Sequence, residues 1–90
     1  AQVQLAGPRV ERMRAARELA DAELTRALTL SEQKAISRQE LDRAREAARA
    51  AAEDLRAADY SRQIAGFELE QARAALSRST ANPGEGEHAW

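Results

Sequence analysis

Stepping from Leu41 by alternating threes and fours meets Leu41, Ala44, Ala48, Ala51, Leu55, Ala58, Arg62, Ala65, Leu69, Ala72 and Leu76. Only Arg62 is polar. An apolar repeat of about 3.5 residues predicts a helix with a narrow seam that pairs with another helix in a left-handed supercoil. A helix on a thick globular core would carry a wider apolar stripe. One of the two alternating positions is alanine throughout, at Ala44, Ala51, Ala58, Ala65 and Ala72. Small side chains in every second layer let two backbones approach closely, so the pattern predicts a tight helix pair.

The first third of the chain answers with a weaker seam: Val10, Met13, Arg17, Ala20, Leu24, Ala27 and Ser31. If the chain folds back near Ala35, the two seams meet in a constant register. Ser31 then faces Leu41, Ala27 faces Ala44, Leu24 faces Ala48 and Ala20 faces Ala51. Further along, Arg17 faces Leu55, Met13 faces Ala58 and Val10 faces Arg62. The seams come from separate segments, so their agreement supports an all-α fold: an antiparallel two-helix coiled-coil hairpin. Arg17 and Arg62 interrupt the seams, and each can lay its aliphatic stem there while lifting its charge into water.

Local chemistry places the breaks. Gly7 and Pro8 predict a lead-in over 1–7, because proline suits a first helical turn, where its missing N–H is no loss. Good helix formers without interior Gly or Pro then predict helix 1 over about 8–33. A tip follows at 34–37, and helix 2 runs over about 38–77. Ser37 with Glu40 three residues later forms a capping box, in which the serine hydroxyl accepts from the Glu40 N–H and the Glu40 carboxylate accepts from the Ser37 N–H. Ile36 and Leu41 occupy the flanking hydrophobic-staple positions. The hairpin as a whole covers 8–78, and Asn82-Pro83-Gly84 and Gly86 predict a linker or tail over 79–90. With helix 1 starting at Pro8, Leu69, Ala72 and Leu76 have no partner within the chain. That predicts either a piece of something longer or self-association through these three residues.

Composition narrows the function classes. Hydrophobic residues make up 43% of the 90, but much of that is alanine, with one Phe, one Trp, one Tyr and one Met. This leaves too few large side chains for a thick core. The formal net charge is −1, with both signs interleaved, which argues against a nucleic-acid partner. No apolar run reaches the roughly 20 residues of a membrane span. Without cysteine there is no disulfide framework and no thiolate metal site. His88 stands alone beside Glu85 and Glu87, and Tyr60, Phe67 and Trp90 read as isolated aromatics. The carboxylates alternate with arginines as solvated helix faces. There is no phosphate loop and no nucleophile paired with a base. The expectation is therefore a chain that is not an enzyme and carries no cofactor, metal or catalytic residue.

What remains is a stiff spacer with a tip. The stretch from Arg26 through Leu30, Ile36-Ser37 and Glu40 to Asp42 resembles the hairpin tip of the HlyD-like membrane fusion proteins, the periplasmic adaptors of tripartite efflux pumps and type I secretion systems. Arg26, Leu30 and Ser37 match the family's tip pattern in identity and spacing, with an Ile-Ser-x-Gln-Glu run at the turn. The resemblance covers roughly residues 10–80. It implies a hairpin whose tip meets the periplasmic end of an outer-membrane channel, with Arg26, Leu30 and Ser37 as the contact residues. It also implies an inner-membrane transporter, met through lipoyl-like and membrane-proximal domains that this sequence does not contain, and a periplasmic location on an inner-membrane-anchored protein. Each tip residue has a plainer role as well. Ser37 caps a helix in any case, Leu30 can close the seam, and Arg26 can be a solvated surface arginine. The alternative function is a structural coiled coil that dimerises and has no part in transport.

Overall fold

The computed structural model describes residues 2–81, with side chains over 6–80. Two helices account for nearly all of it: α1, Gln2–Glu32, and α2, Arg38–Ala81. They lie antiparallel as a rod with extents of 81 × 16 × 14 Å. The chain reverses between Glu32 and Arg38, where the sequence predicts its break. At a rise of about 1.5 Å per residue, α2 alone spans about 66 Å.

The core is the predicted seam. Val10, Ala20, Ala27, Leu41, Ala48, Ala58 and Ala65 are buried, and Ala58 is the most enclosed, with 1% of its surface accessible. Met13, Leu24, Ser31, Ala44, Ala51 and Leu55 are half-buried between them. The two seam arginines leave the interface as expected, each toward a carboxylate on its own helix. Arg17 Nε lies 3.6 Å from Asp21, and Arg62 Nη2 lies 3.0 Å from Asp59. Every ion pair among the described residues joins positions three or four apart on one helix, and all are exposed. Such pairs add about 0.2–0.5 kcal/mol each to their own helix. Apolar packing along the seam therefore sets the alignment of the two helices.

The boundaries differ from expectation at both ends. The predicted lead-in over 1–7 is helical from Gln2, with Pro8 inside α1. Proline loses one hydrogen bond there and crowds the carbonyl four residues back. The seam explains the continuation. Ala65 is buried, and the constant register puts it opposite Ala6, in the turn before Pro8. Packing of that turn overrides the local signal of Gly7-Pro8. At the other end α2 continues through Ala81, past the expected stop near 77, and the Thr80 hydroxyl donates to the Leu76 carbonyl at 2.9 Å. The rest of the predicted tail, 82–90 with His88 and Trp90, lies outside the described residues.

Candidate functional site

The tip is a tightly bonded turn. α1 ends in the pattern of a Schellman motif. The Ala35 N–H donates to the Leu30 carbonyl at 2.8 Å, and the Lys34 N–H donates to the Ser31 carbonyl at 2.9 Å. These two bonds satisfy carbonyls that a helix end leaves without partners. The motif needs one residue in the left-handed region, and here it is Lys34, at φ 58°. Glycine usually fills that position, because a Cβ makes it costly.

α2 begins at the predicted cap. The Glu40 N–H donates to Ser37 Oγ at 3.1 Å, and the Leu41 N–H donates to the Ser37 carbonyl at 3.1 Å. The reciprocal half of the capping box, from the Ser37 N–H to the Glu40 carboxylate, is not formed among the described residues. Glu40 is exposed, so its carboxylate keeps its water and its rotamer freedom. Ile36 is half-buried and Leu41 buried at the staple positions. Replacing Ser37 by alanine should lower stability by about 0.5–2 kcal/mol. A chemical-denaturation curve of the variant with an unchanged midpoint would remove the cap from the account of this turn.

The three predicted tip residues are differently placed. Arg26 is exposed, off the seam, and makes no ion pair among the described residues. Leu30 is half-buried, and its carbonyl anchors the turn, so it belongs to the fold and still offers part of its side chain to the outside. Ser37 is exposed although its hydroxyl caps α2. Arg26 and Leu30 lie one turn apart and share a side of α1. Ser37 follows across the turn.

Two features of the structure have no plain counterpart in the sequence pattern. The first is the conformation of Lys34: a lysine at that position gives no local signal comparable to a glycine. The second is a stripe on α2. Tyr60, Ile64 and Phe67 are all exposed, Tyr60 and Phe67 each to 64%. Their spacing of four and then three places them on one side of the helix, roughly opposite the seam. The spacing is legible in the sequence only when the three residues are read together. The seam itself emerges into solvent at the far end, with Leu69 37% and Leu76 69% exposed and Ala72 exposed between them.

Among the described residues no group of His, Asp or Glu is placed to hold a metal ion. None of the described helices is long and apolar enough to cross a membrane. No family model, characterised protein or solved structure matches this chain.

Proposed function

We propose that this chain is the α-helical hairpin of a periplasmic adaptor of the HlyD-like kind, and that it docks its tip on an outer-membrane channel during efflux or type I secretion. The observation that carries this is the position of the Arg26, Leu30 and Ser37 spacing. Ser37 lies in the turn between Glu32 and Arg38, and Leu30 and Arg26 lie within two helical turns of it, at one end of a long rod. A stiff rod with a tightly bonded end suits contact at a distance. In this reading the inner-membrane transporter is met by domains outside the hairpin. The hairpin stands in the periplasm and has no catalytic role. A photo-crosslinking residue placed at Arg26 of the full-length protein in cells should capture an outer-membrane channel, while the same residue at exposed Ser61, midway along the rod, should not. Equal capture from both positions, or none from either, would refute tip docking.

The second reading is a structural coiled coil that self-associates. It is favoured by the uncovered leucines at the far end of the seam. Fully burying an exposed leucine is worth roughly 1.5–3 kcal/mol; Leu76, 69% exposed, has most of that still to gain and Leu69, 37% exposed, only a smaller part, so the chain should form dimers at high micromolar concentration through Leu69, Ala72 and Leu76. Sedimentation equilibrium should then show Leu76→Lys returning the protein to a monomer. An Ile64→Lys variant that does so instead would move the interface to the Tyr60–Phe67 stripe.

A further inference from the structure

Lys34 joins three properties that no other described residue shares. It is the only lysine among 14 basic residues, the other 13 being arginine. It is the only non-glycine residue with a positive φ among those described. It stands exposed at the apex and makes no ion pair among the described residues.

The fold does not account for a lysine here. The bonds that close the turn are backbone bonds, from the Lys34 and Ala35 N–H groups to Ser31 and Leu30. Glycine would make the same bonds without the crowding of a Cβ. Favourable interaction with the C-terminal end of α1 is the other structural role open to a cation. That benefit is equally available one or two residues earlier, in an unstrained conformation. Those positions hold Glu32 and Gln33, and the last turn of α1 carries no basic residue. Strain kept where the fold gains nothing from it points to a use outside the fold.

We propose that Lys34 is a docking residue, its ammonium donating to a carboxylate on the partner protein. The inference rests on the tip-docking function above. From Arg26 to Asp42 the cations Arg26, Lys34 and Arg38 balance Glu32, Glu40 and Asp42 in number, but none of the three cations makes an ion pair among the described residues, whereas Asp42 pairs with Arg45, so a carboxylate is the complementary group for Lys34. A lysine presents a compact point charge on a flexible stem, whereas arginine favours a planar two-pronged contact. An isolated carboxylate therefore suits it.

The test uses the chain itself and the detergent-solubilised channel captured by the Arg26 crosslink. Lys34→Gly should melt a few degrees higher than the wild type, because the backbone strain is gone. It should nevertheless bind the channel about tenfold more weakly. Lys34→Glu should bind more weakly still, and Lys34→Arg should stay within about threefold of wild type. Raising the salt concentration should weaken the wild type more than Lys34→Gly. Channel binding by Lys34→Gly and Lys34→Glu at wild-type strength overturns the inference and leaves tip docking intact. A lower melting temperature for Lys34→Gly also overturns it, since the lysine would then serve the fold. A wild-type chain that does not bind the captured channel defeats tip docking, and this inference with it.

Discussion

Leucine in place of Ala58 should force the two helices apart at mid-rod and lower stability by about 1–3 kcal/mol, the usual range for adding bulk to a packed site. Ala58 is the most enclosed side chain of the structure, at 1% exposure. It belongs to the alanine half of the seam, where close backbones leave no room for three more carbons. The register puts half-buried Met13 across from it, so the added bulk has no void to enter. Small two-helix folds have little stability to spare, so the variant should show a clear loss of helix signal in thermal melts followed by circular dichroism. Leucine at exposed Ala50 is the control and should shift stability by no more than about 0.5 kcal/mol. If both variants melted like the wild type, tight packing through alanine would not be what holds the hairpin.

Arg26→Asp should have the opposite profile. Arg26 is exposed and makes no ion pair among the described residues. Its removal should leave hairpin stability within about 0.5 kcal/mol. The new aspartate stands three residues after Glu23, a like-charge spacing worth only about 0.2–0.5 kcal/mol. If the tip docks on a channel, the reversed charge falls on the docking surface, where mismatched charges cost several kcal/mol. Export by the full-length protein should then be abolished at normal expression. Cells that export normally with Arg26→Asp in place would leave only the structural coiled coil.

The hairpin is legible in the sequence because its determinants are local or strictly periodic. The seam from Leu41 to Ala65 needs only spacing, and the α2 cap needs only the Ser37 hydroxyl three residues before the Glu40 N–H. Arg17 and Arg62 were legible as seam exceptions because their long stems allow it. The structure departs where a distant contact outweighs a local signal. Gly7-Pro8 predicts a start, but Ala65, buried opposite Ala6 in the constant register, accounts for helix before Pro8. The sequence predicts a tail from Ser79, but no helix breaker occurs before Pro83, and α2 runs on through Ala81. At the tip, the exposure of Arg26 follows from its place off the seam. The double duty of Leu30, side chain half-buried and carbonyl anchoring the turn, follows from backbone hydrogen bonding that residue identity does not encode. The left-handed Lys34 lies in the same blind spot.

The short turn between Glu32 and Arg38 also sets an order of assembly. Ser31 and Leu41 are close in sequence, so bringing them together closes a small loop. Val10 and Arg62 are far apart and depend on every layer between them. Loop closure is easiest at the turn, and contacts local in sequence form fastest. The hairpin should therefore zip from the capped turn toward the far end and fray in the reverse direction. Amide exchange protection should fall off along the rod from Leu41 toward Leu76. Transient opening would then loosen the end that carries the uncovered leucines while the apex stays folded.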